Sequence, residues 1–278
     1  MKHGLWLRNS DSTDVAQLVE YGVAAETAGW DGVFVSDSLP FSEYPDPWIV
    51  LAGIAARTED IRLGTWIVPV PRRQPWQIAN EVAALDHLSD GRMMLGAGLG
   101  NSDEYEAFGR PYNPRELGDR FDEALDVITG LWQGEPFTYD GDHFTLEDAE
   151  VNPTPVQQPR VPILLGCWWP NKKPFDRGAR WDGIMPNWPT LTGSREGPRG
   201  EQATGSLEEE VRDMLEYYHG LTDDPGEIVM STDPPGASTE YVELCRELEV
   251  SWLLTLDLEA DPDDALQQIR DGPSELDG

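Results

Sequence analysis

Apolar runs of four to eight residues alternate along the chain with stretches in which apolar side chains return every three to four positions. The first pattern predicts strands at Gly4 to Arg8, Gly32 to Ser36, Arg62 to Pro69, Met93 to Leu99, Pro162 to Cys167, Gly183 to Pro186, Glu227 to Thr232 and Ser251 to Leu258. The second predicts helices through Val15, Leu18 and Val19, through Trp48, Leu51 and Ala55, through Ile78, Val82 and Leu85, and through Phe121, Leu125, Ile128 and Trp132. Further helices follow through Val211, Leu215 and Tyr218, through Val242, Cys245 and Leu248, and through Leu266 and Ile269, with a short one around Phe175 to Arg180. Their ends are chemically marked. Asp46-Pro47 and Asp261-Pro262 place a capping carboxylate before a first-turn proline, Ser206 with Glu209 reads as a capping box, and Gly29, Gly91, Gly134 and Gly272 supply stops.

Eight strands, each followed by a helix, in a chain of 278 residues fit a closed (β/α)8 TIM barrel of the α/β class, for which about 250 residues is usual. Such a barrel places its site at the C-terminal ends of the strands. Residues 57–109 are informative there, because two strand patterns end in Pro-rich and Gly-rich turns on either side of an amphipathic helix. A single domain over 1–278 is expected, since apolar content of 39% can fill a large core and no linker divides the chain. Residues 136–162 read as a Pro-rich excursion carrying a small hairpin at Tyr139 to Phe144. Residues 188–206, polar and without periodicity, read as a lid loop over the mouth. The N-terminal apolar run is too short for a signal peptide and no segment reaches the roughly 20 apolar residues of a membrane span, so a cytoplasmic protein is expected.

The net charge of −32 comes from 52 acidic against 20 basic side chains. Nucleic acid and anionic membranes are therefore poor partners. The acids are spread over helix faces and loops, as in Glu208-Glu209-Glu210. This suits either a halophilic protein in a salty cytoplasm, where a Debye length of about 3 Å at 1 M screens self-repulsion, or simple solubility. Against this background the cations are conspicuous. Lys172, Lys173, Arg177 and Arg180 follow the fifth strand and Arg72 and Arg73 the third. Basic groups ringing the mouth suit a phosphorylated cofactor or local pairing with neighbouring acids; the sequence leaves both open.

No metal site is expected, since Cys167 and Cys245 lack ligand spacing, and two reduced, partly buried thiols are the plain reading. His3 precedes the first strand, His87 and His219 lie on predicted helices and His143 in the excursion, so none is placed at the mouth. There is no nucleophile elbow, and the Gly-rich GAGLGN at 96–101 lacks the third glycine of a dinucleotide fingerprint.

Taken in order, AGWDGV (28–33), DPW (46–48), IRLGTWIVPVPRRQPW (61–76), LDHLSDGRMMLGAGLG (85–100), EAFG (106–109), LWQGEPFTYDGDHF (131–144), PVQQPRVPILLG (155–166) and ARWDG (179–183) resemble the luciferase-like monooxygenase family, over about residues 4–186. The resemblance implies a barrel that holds a flavin such as FMN, or the deazaflavin coenzyme F420, at its mouth and passes hydride to or from an organic substrate; some members activate oxygen instead. It also implies that the third strand ends in a bulge backing the cofactor ring, here Thr65, Trp66, Ile67 and Val68, with a cis peptide at Trp66-Ile67. Asp37 and Ser38 stand where the family places an acid followed by His. A hydroxyl cannot replace imidazole as an acid near neutral pH. That leaves a reaction needing only hydride and positioning, or one in which Glu104 serves as the acid.

By the same resemblance Gly98, Asn101 and Glu104 lie in the segment beside the ring, and Gly166, Cys167, Trp168 and Trp169 in the phosphate-binding turn. The two tryptophans add bulk to that turn, and Met185 with Pro186 completes the wall. Trp6, Trp48, Trp66, Trp168 and Trp188 predict an aromatic pocket for a small, apolar organic substrate. Three readings follow: an F420-dependent hydride-transferring oxidoreductase, an FMN-dependent monooxygenase, and a non-catalytic flavin-binding barrel. A homodimer built on the second and third helices is expected from the same resemblance.

Overall fold

The computed structural model describes residues 1–7, 14–39, 45–187, 205–232, 238–255 and 261–273. Its strands are β1 (Lys2–Leu7), β2 (Gly32–Val35), β3 (Arg62–Thr65), β4 (Val68–Pro69), β5 (Met93–Gly98), β6 (Phe137–Asp140), β7 (Thr145–Ala149), β8 (Ile163–Trp168), β9 (Gly183–Asn187), β10 (Glu227–Thr232) and β11 (Trp252–Thr255). The helices are α1 (Val15–Thr27), α2 (Pro47–Ala55), α3 (Pro75–Leu88), α4 (Asp103–Glu106), α5 (Pro114–Leu131), α6 (Lys172–Gly178), α7 (Leu207–His219), α8 (Thr239–Glu247) and α9 (Pro262–Arg270). Strands pair in the order β3-β2-β1-β11-β10-β9-β8-β5-β4, and a further β3 to β5 pairing closes the ring. Since β4 continues the line of β3, the ring is a closed barrel of eight parallel staves, as the periodicity predicts, and β6 with β7 forms the expected antiparallel hairpin in the excursion. No helix among the described residues is long and apolar enough to cross a membrane.

Parallel strands enclosed by helices bury both faces, which is why they read as continuous apolar runs. The barrel interior is filled by large side chains, among them Phe34, Met94, Leu164, Met185 and Trp252. Small residues opposite make the room: a Cβ on Gly64 would lie 2.3 Å from the Phe34 ring, and one on Gly32 would lie 2.8 Å from Trp252. Outside the strands, a core from Leu5 through Ile269 packs α1, α2, α3, α5 and α9 onto the barrel, and a second core carries α6, α7 and α8. The helix signals act as read. Asp46 and Asp261 accept first-turn N–H groups, Ser206 and Glu209 form the reciprocal box, and Gly29, Gly91, Gly134 and Gly272 all adopt positive φ just past helix ends.

Four elements depart from expectation. The strand predicted at 62–69 is interrupted at Trp66 and Ile67. The fifth helix begins at Lys172, well before Phe175, because Pro174 falls in the first turn, where its missing N–H has no helical partner to lose. The segment predicted as loop after the fourth strand contains α4, and His3 lies within β1. The lid segment 188–204 and Trp188 lie outside the described residues.

Candidate active site

The site starts from the break in the third stave. Four residue steps from Gly64 to Val68 lie opposite three from Met94 to Ala97, so one extra residue bulges out of the ladder. Backbone groups freed there are recovered by a side chain. The Thr65 hydroxyl accepts from the Gly96 N–H and donates to the Gly96 carbonyl, both at 2.9 Å. Residue 96 must be glycine, since a Cβ there would lie 2.0 Å from the Thr65 carbonyl oxygen. The Trp66-Ile67 peptide is cis, at the bond that the resemblance implied. Ile67 fills notches left by two other glycines, with its Cδ1 within 3.0 and 2.1 Å of Cβ positions on Gly98 and Gly166.

Above this bulge, at the C-terminal ends of the strands, lies a cavity of about 530 Å³. Its floor and apolar wall are Trp66, Ile67, Trp6, Leu165 and Met185, with the Trp6 and Trp66 rings 5.7 Å apart. Gly166, Cys167 and Trp168 line the side formed by β8, and Ser38, Asp37, Asn101 and Glu104 the opposite one. Thr65, Val68, Gly98 and Trp169 do not line it. Thr65 is turned to Gly96, Val68 faces the helix layer, Gly98 backs Ile67, and Trp169 packs outside the barrel on Phe175 and Tyr217. Trp48 is also away from the cavity, beneath the Arg73 guanidinium. Ser36, Pro69, Leu99, Phe121 and Asn187 join the lining without having been singled out from sequence. Phe121 carried only a helix-stripe signal, and Asn187 sits one residue beyond the predicted end of its strand.

Glu104 is held inward by its own loop. Gly100 takes φ +73 and a Cβ there would lie 2.6 Å from Glu104 Oε2, so only glycine lets the carboxylate fold back. Oε2 then accepts the Asn101 N–H at 2.8 Å, Oε1 accepts from Arg72 Nη1 at 3.2 Å, and the Asn101 Oδ1 accepts the Asp103 N–H at 3.1 Å. Burial raises the proton affinity of Glu104 above that of an ordinary carboxyl; the Asn101 and Arg72 donors oppose that without reversing it. Asp37, at the end of β2, accepts from Arg72 Nη2 and, at 3.0 Å, from Arg73 Nε, while Arg73 Nη2 reaches Asp46 at 3.0 Å.

The mouth arginines are thus engaged by acids, Arg177 while also lining the cavity, and local pairing is the reading the structure supports for them. Arg72 and Arg73 serve Asp37, Glu104 and Asp46. Arg177 is bidentate to Asp122 at 2.6 and 2.9 Å, Arg180 reaches the same carboxylate at 3.2 Å, and Lys172 lies over the Tyr217 ring at 4.7 Å. Burial raises the Cys167 thiol far above its usual range, as it does Cys245, pushed up to about 12, so both are neutral thiols. No histidine lines the cavity and no cluster of metal-ligating side chains occurs among the described residues.

The lining suits a planar heteroaromatic ring, with apolar aromatic surface on the floor and polar groups confined to the edges. The Trp168 indole N–H is enclosed at the wall and has no acceptor among the described residues.

A family model described as luciferase-like monooxygenase matches residues 1–196. The F420-dependent glucose-6-phosphate dehydrogenase of Kineococcus radiotolerans is 30% identical over 232 residues, covering 78% of this chain and 67% of that protein. The oxygenase component of flavin-dependent trigonelline monooxygenase from Acinetobacter baylyi is 29% identical over 162 residues, 57% of this chain and 45% of its own. This chain spans about half the length of several curated relatives that it matches. Among solved structures, monooxygenase RslO1 from Streptomyces bottropensis superposes with a TM-score of 0.79 at 20% identity over 97% of both chains, a likeness of fold. With its barrel, its bulged third stave and a family match over most of its length, the chain belongs to the luciferase-like monooxygenase family.

Proposed function

We propose that this protein, as one barrel domain, is an oxidoreductase that transfers hydride between coenzyme F420 and a small, largely apolar organic substrate held in the mouth cavity. The observation that carries this reading is Glu104, a buried carboxyl on the polar side of a cavity whose floor is apolar and aromatic, with its proton affinity raised by burial. The deazaflavin ring, when bound, supplies the two-electron hydride donor or acceptor. The chain supplies the remainder. Trp66, Ile67 and Met185 offer a flat apolar bed that excludes water, the Trp168 N–H a donor for a carbonyl or phosphate oxygen, and Asn101 a polar edge. Glu104 holds the proton that must accompany hydride when a carbonyl-like substrate is reduced, and Ser38, hydrogen-bonded to it, lines the cavity beside it. Glu104, and not Ser38, is the proton donor in this scheme.

The name of the Kineococcus relative, which matches 78% of this chain, supports F420 as the cofactor. An FMN-dependent monooxygenase is the second reading, supported by the trigonelline relative. Parallel titration of the ligand-free protein with oxidised F420 and oxidised FMN at high salt, read by tryptophan quenching from Trp6, Trp66 and Trp168, separates them. Tight F420 binding is expected. Tight binding of FMN alone would establish the second reading, and binding of neither a non-catalytic barrel.

The acidic surface and the family resemblance support two further parts of this proposal, a homodimer through α2 and α3 and a halophilic, cytoplasmic setting. Ile49 on α2 and Trp76 on α3 are large apolar side chains left exposed. Light scattering is expected to give a dimer mass and the melting midpoint to rise with added salt; a monomer throughout, or a midpoint indifferent to salt, refutes the corresponding part.

A further inference from the structure

Two carboxyls reach the cavity wall from separate elements, Asp37 from the end of β2 and Glu104 from α4, and they are only 5% and 4% exposed. Like charges sealed together cannot both stay ionised unless a cation lies between them. Arg72, its side chain 9% exposed, occupies that place. One terminal nitrogen donates to Asp37 and the other to Glu104, the latter at 3.2 Å. Arg73 turns instead to Asp37 and Asp46. Asp37 therefore has two guanidinium partners, whereas Glu104 shares one.

Several other described residues surround the pair. Asp46 caps α2, and Glu81 on α3 faces Arg73 with its own proton affinity raised by burial. Arg110, after α4, donates to the carbonyls of Arg72 and Pro71, and so holds the 3-10 turn that carries Arg72. Tyr105 and Tyr112 donate to the carbonyls of Leu99 and Gly100, and Ser38 is a neutral hydroxyl against Glu104.

We propose that Arg72 is a positioning residue that, through its bond to Glu104, tunes this carboxyl so that it takes up and releases a proton at the cavity wall. This rests on the reading of Glu104 as the acid, but its test does not depend on turnover. Glutamate carrying a carbon isotope label lets the Glu104 carboxyl be titrated by infrared spectroscopy in the ligand-free protein at high salt, with Glu104→Gln identifying the band.

Removing the shared cation in Arg72→Met is expected to raise the Glu104 midpoint by about one to three pH units. Arg73→Met leaves the Arg72 to Glu104 bond in place and is expected to shift it by less than about one unit. An unmoved midpoint in Arg72→Met, or equal shifts in the two variants, overturns the proposal. Should Arg72→Met fail to fold, Arg72→Gln decides on the same criterion. A shifted midpoint in a protein that binds no F420 would leave this assignment standing and overturn the hydride-transfer reading alone.

Discussion

Glu104→Gln is expected to lower kcat for carbonyl reduction about 100-fold to 10,000-fold, the range typical of losing a positioned general acid. F420 affinity should be largely retained. The isosteric Gln keeps one of the two acceptor positions, toward Asn101 N–H or Arg72 Nη1, but it cannot give up a proton. The pH dependence carries the sharper signature. Because burial raises the folded-state affinity of Glu104, the acid form persists above the ordinary carboxylate range, and activity in the reducing direction should fall as pH rises through that raised value. The variant should lack this alkaline limb. Stability obeys the same sign. The fold prefers the protonated form, so this group's contribution is fully present below the unfolded pKa and is lost as pH rises through the folded one. Relative to the variant, the native chain should therefore lose denaturant stability across that window. A variant with unchanged kcat and an unchanged alkaline limb would remove Glu104 from the chemistry.

Gly96→Ala is expected to cost about 3 kcal/mol, the upper end for overpacking, together with the cofactor-induced tryptophan quench. The new Cβ would lie 2.0 Å from the Thr65 carbonyl oxygen, 2.8 Å from Met185 Sδ and 2.9 Å from Ile67 Cγ2. The first obstacle is backbone and cannot rotate away. Relief requires β3 to part from β5 at the two hydrogen bonds made by the Thr65 hydroxyl, and the Ile67 floor moves with it. Gly98→Ala is the control, because its Cβ would meet only the flexible end of Ile67, at 3.0 Å. It should cost less and keep the quench. Equal unfolding free energies for the two variants, read from chemical denaturation, would show that the bulge is not held by close backbone contact.

Much of the barrel was legible in the chain. Phe34, Leu63 and Leu95 sit in apolar runs because both faces of a parallel strand are buried, and Asp46, Ser206 and Asp261 announced helix starts by chemistry that acts within three residues. The resemblance marked the bulge at Trp66 and Ile67. Ten of the site residues that it singled out line the cavity. Thr65, Val68, Gly98 and Trp169 lie behind that wall because neighbouring positions on a strand point to opposite sides, and a motif does not say which side is inward. Arg72 and Arg73 left two readings open for a related reason. A cation near a mouth attracts a phosphate or a carboxylate alike, and only the fold shows that Asp37, Glu104 and Asp46 arrive first.

What the sequence determined by itself is whatever depends on short-range order: the alternation of strand and helix, the caps and stops, the absence of a metal-ligand spacing and the acidic excess. The tertiary structure decided which side chains converge. Asp37, Arg72 and Glu104 are separated by more than thirty residues at each step along the chain, and they meet because three staves end on one rim. The proton affinity of Glu104 follows from that convergence, since it is set by the water excluded around the carboxyl and the single guanidinium left to share, neither of which is a property of any local segment.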